Sequence, residues 1–255
     1  MAAWDPQAYG RFAAERRRPV DDLIARLPRA DYARIADLGC GAAASTAALA
    51  ERFPHAEIYG LDSSPAMIAA AHRVLPEREF RVEDIAAWRD PRADLVFSNA
   101  ALHWVDGHIA VMARLASDMP PGGAVAAQFP DNLDEPSHAL MREIAARPAF
   151  RAKLAATAAE RQTIGGFVDY EQALAPHCRH IDIWRTVYAH RLDGPKAIVA
   201  WVEGAGLRPF LAPLNEAERA DFLGIYEDEI ARSYPRQPSG AVLLAFPRLF
   251  VVAAR

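Results

Sequence analysis

Residues 34–53, RIADLGCGAAASTAALAERF, decide the fold of this chain. The stretch begins with the continuous apolar pattern of a buried strand and ends with the alanine-rich pattern of a helix. Gly39 and Gly41 lie between the two, and alanines occupy positions 42–44. Glycine adopts positive φ and allows a ligand to approach the backbone closely. We therefore expect a ligand to lie against this strand-to-helix turn.

Four more strand-like runs follow, and helical patterns separate several of them. They span residues 56–64, 78–85, 93–100 and 123–131. Near-continuous apolar strands alternating with helices are typical of a parallel sheet with helices on both faces. The predicted fold class is therefore α/β, a doubly wound and mostly parallel sheet.

The second half of the chain has a different organisation. Two long strand-like runs, 181–192 and 241–254, are separated by helical patterns too long for a hairpin loop. We expect the intervening helices to form a small cap over one end of the sheet. The predicted organisation is an N-terminal lid helix, an α/β core, the helical cap and a last strand that returns to the core, at residues 1–30, 31–192, 193–240 and 241–255.

Composition excludes several broad classes of protein. Of 255 residues, 52% are hydrophobic and 24% are charged, as in ordinary globular proteins. The net charge of −4 argues against a general nucleic-acid or membrane-surface binder, but a few arginines can still hold a small anion. Two cysteines cannot support a disulfide framework, and the N-terminus lacks the apolar core of a signal peptide. We expect a cytoplasmic protein whose oligomeric state the sequence leaves open.

Polar side chains follow the ends of successive predicted strands. Asp37 precedes the glycines, Asp62 ends the second strand, Asp84 ends the third and Asn99 ends the fourth. Ligands of doubly wound sheets bind at these carboxyl ends, where Asp62 is placed to accept two ribose hydroxyls and Asp84 an adenine amino group. Any one such residue alone is more consistent with helix capping, the role we also expect for Ser45 or Thr46, but four of them at successive strand ends indicate a ligand site.

The arrangement resembles the class I S-adenosylmethionine-dependent methyltransferases. More narrowly, WDPQAYGRFAAERRRP (4–19), GLDSSPAMIAAA (60–71), WVEGAGLRPFL (201–211) and LLAFPRLFVVA (243–253) resemble the trans-aconitate 2-methyltransferase family, and the likeness spans essentially the whole chain. The resemblance implies seven strands with the last one antiparallel, and S-adenosylmethionine across the first two strand ends. It also implies methyl ester formation on a small polycarboxylate, with trans-aconitate the first candidate.

By the same resemblance, nine residues become candidates for binding the cofactor. They are Asp37, Gly39, Gly41, Asp62, Ser63, Asp84, Ile85, Asn99 and Arg16. One departure stands out, because family members read G-C-G-P-G-N-S-T where this chain has three alanines. If position 43 requires positive φ, alanine there costs on the order of 1 kcal/mol.

Methyl transfer to a carboxylate requires no strong general base, because a carboxylic acid with a pKa near 4 is already ionised at neutral pH. We therefore predict positioning residues only and no catalytic acid or base. The substrate-binding candidates are Arg208, Arg248, Trp104, His103 and Tyr9. Arginine matches carboxylates bidentately, although a salt bridge to Glu203 or Asp182 would explain Arg248 equally well. No metal is expected, since His177, Cys178 and His180 are too close in sequence for tetrahedral coordination.

Other functions remain open from the sequence alone. The chain is also compatible with a methyltransferase for another small carboxylic acid or metabolite, or with a non-catalytic S-adenosylmethionine- or S-adenosylhomocysteine-binding protein. A nicotinamide oxidoreductase is disfavoured because Ala44 replaces the third glycine of G-x-G-x-x-G. Methylation of DNA or protein amides is disfavoured because SNAALH (98–103) replaces the Asn/Asp-Pro-Pro-Tyr/Phe element of those enzymes.

Overall fold

The structure is a computed structural model that describes residues 12–159, 163–204 and 206–255. Residues 34–130 contain five of the seven strands of the described chain, and six of its ten α-helices follow the fifth strand. The strands are β1 (Arg34–Leu38), β2 (Glu57–Asp62), β3 (Glu79–Val82), β4 (Leu95–Asn99), β5 (Ala124–Pro130), β6 (His180–Leu192) and β7 (Val242–Ala254). The helices are α1 (Ala13–Ala25), α2 (Ala44–Arg52), α3 (Pro65–Val74), α4 (His108–Asp118), α5 (Pro136–Ala145), α6 (Pro148–Ala159), α7 (Phe167–Leu174), α8 (Pro195–Glu203), α9 (Arg208–Leu211) and α10 (Glu216–Ser233), with a 3-10 turn at Leu102–Trp104.

The strands form one sheet in the order β3-β2-β1-β4-β5-β7-β6. β1 pairs in parallel with β2 and β4, β2 with β3, and β4 with β5, whereas β5 and β7 are antiparallel. The predicted doubly wound sheet is therefore confirmed, with an antiparallel last strand. The order reverses between β1 and β4, which makes the carboxyl ends of these two strands the switch point where ligands bind in such sheets. The Ser98 hydroxyl bridges the two strands there by donating to the Leu38 carbonyl at 2.9 Å.

The contacts divide the described residues into two compact units. The first comprises Ala13–Pro130, Ile164–Thr186 and Arg248–Arg255, and the second comprises Phe12 with residues 131–159, 163, 187–204 and 206–247. Helices α5 and α6 thus pack together with the helices inserted between β6 and β7. The domains predicted with boundaries at 30, 192 and 240 are continuous stretches of sequence, whereas each observed unit combines segments that are distant in the sequence. Packing between distant segments does not appear in local sequence patterns.

The core of the first unit surrounds the central strands. All five residues of β1 are buried, as expected for a strand with neighbours on both sides and helices over both faces. The main cluster includes Leu38, Val96, Phe129 and Val251, which are fully buried. Such a packed sheet holds the carboxyl ends of its strands in a rigid arrangement.

Helix α1 is attached to the first unit. Arg17 forms an ion pair with Glu51 at 2.7 Å, and the guanidinium of Arg26 lies 4.2 Å from the ring centre of Trp184. This helix belongs to the segment predicted as a lid, of which residues 1–11 lie outside the described part of the chain. The lid therefore stays a prediction.

The second unit has an apolar core of its own, which includes Met141, Ile198, Phe222 and Tyr226. Its longest helix, α10, begins with a capping box in which the Asn215 side chain accepts a hydrogen bond from the Glu218 amide at 2.9 Å. The helical insertion expected before the last strand is confirmed by α8, α9 and α10. Among the described residues, no helix is long and apolar enough to cross a membrane.

Candidate active site

The turn between β1 and α2 contains three residues in the left-handed backbone region. Gly39 has φ 73°, Gly41 has φ 54° and Ala43 has φ 69°. The amides of Gly39 and Cys40 both donate to the carbonyl of Leu61, at 2.7 and 2.9 Å, so the turn is fixed to β2. Position 43 does require positive φ, and this chain places an alanine there at the start of α2.

The two glycines of the turn are required for different reasons. A Cβ on Gly39 would lie 2.1 Å from Cβ of Ala101, which no packing can accommodate. A Cβ on Gly41 would have no atom of the described residues within 4 Å. Gly39 is thus required by the packing of the protein itself, whereas Gly41 borders open space at the carboxyl end of β1.

Asp37 is fully buried below the turn. Its Oδ2 accepts hydrogen bonds from Ser45 Oγ and Thr46 Oγ1, both at 2.7 Å, while its buried Oδ1 has no partner among the described residues. Burial raises the pKa of this carboxyl to about 6, against the lowering effect of the two hydroxyls. The expected capping by Ser45 or Thr46 is wrong, because both hydroxyls bind Asp37 and Ala43 is the N-cap residue.

Asp62 lies beside the turn at the end of β2. Its Oδ2 accepts from the Gly41 amide at 3.0 Å and its Oδ1 from the Ser64 amide at 2.8 Å. Burial raises the pKa of the Asp62 carboxyl. Ser63 is exposed, and its neighbour Ser64 is the residue that caps α3. Each Asp62 oxygen keeps a further lone pair for a ligand.

Asp84 and Ile85 follow β3, at the same edge of the sheet as the carboxyl ends of β1 and β2. Asp84 is exposed and its Oδ1 accepts from the Ala86 amide at 2.9 Å, which forms a local turn. Ile85 packs on the main core cluster, and its Cδ1 lies 3.9 Å from the position of a Cβ on Gly39. The structure thus brings Ile85 to the glycine turn.

Asn99 is one end of a chain of side-chain hydrogen bonds. Arg248 Nη1 donates to Gln128 Oε1 at 3.1 Å, and Gln128 Nε2 donates to Asn99 Oδ1 at 2.7 Å. Arg248 is 7% exposed and Gln128 is fully buried. Asp182, one of the carboxylates considered for Arg248, instead pairs with Arg26 at 3.2 Å.

His103 and Trp104 form the 3-10 turn after β4. The chain enters it through Ala100 at φ 54°. His103 Nδ1 is buried and has no partner among the described residues. Burial, and next the positive charge of Arg248, lower the pKa of His103 to about 3, so the imidazole is neutral at physiological pH. Trp104 is 52% exposed, with its ring centre 4.9 Å from that of His103.

The remaining candidates lie elsewhere. Arg16 is half-buried in α1, and Arg208 is the first residue of α9 in the second unit. Tyr9 lies outside the described residues. Gln128 was not among the predicted site residues. Its position within the apolar run AVAAQFP was a visible signal, because a polar amide is buried in a strand only when it has hydrogen-bond partners.

Comparisons with known proteins agree with this geometry. The model of a methyltransferase domain matches residues 35–123. The chain superposes on the YcgJ protein of Bacillus subtilis with a TM-score of 0.58 and 12% identity, covering 93% of this chain and 98% of that one. It also superposes on phosphoethanolamine N-methyltransferase 2 of Haemonchus contortus with a TM-score of 0.53 and 15% identity, covering 92% and 52%. At these identities the likeness concerns the fold alone.

The sheet, the glycine turn and the domain match define a class I methyltransferase, a class that takes its methyl group from S-adenosylmethionine. Among curated relatives, trans-aconitate 2-methyltransferase of Methylobacterium nodulans is 51% identical, over 100% of this chain and 99% of its own. That of Paracidovorax citrulli is 47% identical over the same shares. The chain belongs to the trans-aconitate 2-methyltransferase family, as the resemblance predicted.

Proposed function

We propose that this protein transfers a methyl group from S-adenosylmethionine to a carboxylate oxygen of a small polycarboxylic acid, with trans-aconitate as the first candidate. The relatives carry that acid in their name. The observation that carries the proposal is a buried arginine, Arg248, beside the neutral His103 at the carboxyl end of β4. This pair adjoins the switch point of the sheet, where the class binds its cofactor.

The chemistry of the turn fits the cofactor. S-adenosylmethionine offers an ammonium, a ribose diol and an adenine amino group, which are hydrogen-bond donors, and an electrophilic methyl group. Asp37, Asp62 and Asp84 supply acceptors along three adjacent strands. Gly41 leaves room for a ligand against the backbone. We assign the ribose to Asp62, the adenine to Asp84 and Ile85, and the ammonium to Asp37, with Ser63 and Arg16 as further candidates by family likeness.

The residues present suit an acceptor that is already an anion. A carboxylate has a pKa of about 4 and needs no base at neutral pH. Arg248 carries a fixed charge that Gln128 holds in place, and in a buried site such a charge orients an anion strongly. The protein then has to align the carboxylate oxygen and exclude water from it.

His103 supports the same function as a neutral group. With a pKa of about 3 it is a poor proton acceptor, so we do not assign it the role of a general base. Its buried Nδ1 lacks a partner among the described residues, and a buried polar atom of this kind is normally satisfied. We propose that an oxygen of the acid fills this position, with Trp104 as an adjacent wall.

Further assignments concern the substrate, the helical insertion and the cellular location. Arg208 of the second unit and Tyr9 are additional substrate-binding candidates, and the helical insertion acts as a cap. The net charge of −4 favours a free small acid as substrate over nucleic acid or a membrane surface. We also propose that the enzyme acts in the cytoplasm.

The test is the release of S-adenosylhomocysteine by purified protein with trans-aconitate, cis-aconitate, citrate or isocitrate. We expect turnover with trans-aconitate, and at least a ~100-fold loss of kcat/KM for Arg248→Met, because a buried charged hydrogen bond is lost. Arg92→Met is the matched control, since this arginine side chain is 73% exposed. Binding of S-adenosylhomocysteine should survive in both variants.

Other results would redirect the proposal. Tight cofactor binding without turnover of any acid would point to another acceptor or to a non-catalytic binding protein. An Arg248→Met variant as active as Arg92→Met would remove Arg248 from the substrate site. Arg208→Ala tests the second arginine in the same way, with the KM for the acid as its readout.

A further inference from the structure

The side chain of Gln128 has only one arrangement compatible with its neighbours. Arginine is a donor without any acceptor, so the atom of Gln128 that faces Arg248 must be the oxygen. The NH2 group of Gln128 is thereby directed to Asn99, and the atom of Asn99 that receives it must also be an oxygen. The orientation of two amides therefore follows from the charge of one guanidinium.

The consequence appears at Asn99. Because its Oδ1 is used internally, Asn99 offers its NH2 group to a ligand at the carboxyl end of β4. That Nδ2 has no hydrogen-bond partner among the described residues and is not buried. Without the chain of hydrogen bonds, the Asn99 amide could turn and present either a donor or an acceptor.

We propose that Gln128 is a positioning residue that transmits the donor-only character of Arg248 to Asn99, so that Asn99 donates a hydrogen bond to a carboxylate of the bound ligand. The inference rests on the proposed function, because both the cofactor and the acceptor acid carry carboxylates. Nothing in the sequence around Asn99 predicts this polarity, since it is imposed from β7 across β5.

The register of the sheet explains why these residues meet. Asn99 pairs with Gln128 in the parallel ladder of β4 and β5. Gln128 and Pro130 face Phe250 and Arg248 in the antiparallel ladder of β5 and β7. Arg248 reaches Gln128 diagonally across this ladder, at a separation that a long side chain spans.

The test is a double-mutant cycle between Gln128 and Asn99. In Gln128→Glu, one carboxylate oxygen still accepts from Arg248, but the other can only accept, so Asn99 must turn and present its oxygen to the ligand. We expect affinity for one carboxylate ligand to fall about 10- to 100-fold, because a donor is replaced by an acceptor facing an anion. In an Asn99→Ala background, the same Gln128→Glu substitution should change that affinity less than ~3-fold.

Two calorimetric titrations identify the ligand. One measures binding of S-adenosylhomocysteine, and the other measures binding of the acid to protein saturated with S-adenosylhomocysteine. A conditional loss is a fall in affinity that Gln128→Glu causes when Asn99 is present but not in the Asn99→Ala background. Such a loss in the first titration assigns the Asn99 donor to the carboxylate of the cofactor, and such a loss in the second assigns it to the acid. Circular dichroism and thermal unfolding show whether Gln128→Glu folds, and Gln128→Met is the neutral replacement if it does not, with a smaller conditional loss expected.

The proposal is overturned if Gln128→Glu weakens binding equally with and without Asn99, or weakens neither ligand in folded protein. The first result would mean that the added charge acts directly. Failure of the proposed function would look different, because no acid would bind or be methylated while S-adenosylhomocysteine still bound. The cycle measured with S-adenosylhomocysteine alone would then decide the proposal. If Gln128→Glu caused no Asn99-dependent loss of affinity in that cycle, the proposal would be overturned.

Discussion

Gly39 packs directly against Ala101, so that a Cβ on Gly39 would lie 2.1 Å from Cβ of Ala101. The first glycine of the turn therefore joins two neighbouring parts of the sheet, the end of β1 and the segment after β4. Gly41, two residues later, borders open space instead. A motif that looks uniform in the sequence thus combines a packing glycine and a ligand-facing glycine.

Alanine substitutions should separate these two roles. Gly39→Ala combines a left-handed φ with a severe overlap, and we expect it to lower the free energy of unfolding by about 3 kcal/mol or more. Gly41→Ala meets no atom of the described protein, so we expect a cost of only about 1 kcal/mol, with at least a ~10-fold weaker affinity for S-adenosylhomocysteine. Urea unfolding and calorimetric titration measure the two effects.

The pair of variants is its own control. If Gly41→Ala bound S-adenosylhomocysteine as well as the wild type, the space above Gly41 would not be the cofactor site. If Gly39→Ala were as stable as the wild type, the contact with Ala101 would not constrain the turn.

Replacement of Ala43 by glycine should be tolerated and should change the stability of the protein little. Relief of the left-handed strain favours Ala43→Gly by about 1 to 2 kcal/mol. Against this, the alanine methyl is fully buried in a cluster with Cys40, Ile68 and Phe80, which is worth about 0.8 kcal/mol, and glycine adds about 0.4 to 1 kcal/mol of unfolded-state entropy. We expect a net change in unfolding free energy within about 1 kcal/mol, measured by urea unfolding.

The same variant tests whether the alanine turn weakens the cofactor site. Because the Ala43 methyl packs inward and has no exposure, Ala43→Gly should change the affinity for S-adenosylhomocysteine less than ~3-fold. If Ala43→Gly bound S-adenosylhomocysteine much more tightly than the wild type, the alanine would strain the ligand-bound state.

The sheet and the acidic strand ends could be predicted because both depend on short-range patterns. Apolar runs alternating with helices specify a parallel sheet, and the carboxyl ends of its strands meet at one edge. Asp62 and Asp84 therefore came to lie where they were expected. The hydroxyls of Ser45 and Thr46 were misassigned because the sequence does not show that the nearby Asp37 is buried and competes for them.

Gln128 could not be connected to Arg248 in the same way. The two residues are 120 positions apart, and their contact depends on the register of an antiparallel pair that no local pattern specifies. The packing of α5 and α6 with the later helices was missed for the same reason. Contacts that arise between distant segments are the part of the site that the sequence does not display.

Asp37 should make the stability of the protein fall as the pH rises. Its pKa is raised from 3.8 to about 6 by burial, so the folded state binds the proton more tightly than the unfolded state. This contribution is present below about pH 4 and is lost as the pH rises through about 6, a difference of about 3 kcal/mol. We expect Asp37→Asn to lack this contribution to stability. The difference in unfolding free energy, variant minus wild type, should therefore increase as the pH rises from about 4 to about 6.

Cofactor affinity should depend on Asp37 with the opposite sign. If the ionised carboxylate receives the ammonium of the ligand, affinity for S-adenosylhomocysteine in the wild type rises as the pH increases through about 6. Asp37→Asn should bind more weakly at neutral pH and show a flat profile there. A variant that binds as tightly as the wild type would limit Asp37 to organising Ser45 and Thr46.

His103 should act without titrating in the physiological range. Its pKa of about 3 keeps the imidazole neutral, so the pH profile of kcat/KM should contain no inflection from this residue between about pH 5 and 9. His103→Gln retains a neutral polar group and should stay within ~10-fold of the wild type, whereas His103→Leu should lose roughly 10- to 100-fold in kcat/KM, mainly through KM. His55→Leu, at an exposed histidine, is the control and should leave both constants unchanged. An inflection near neutral pH that disappears in His103→Gln would instead identify His103 as a titrating base, and the positioning mechanism would have to be replaced.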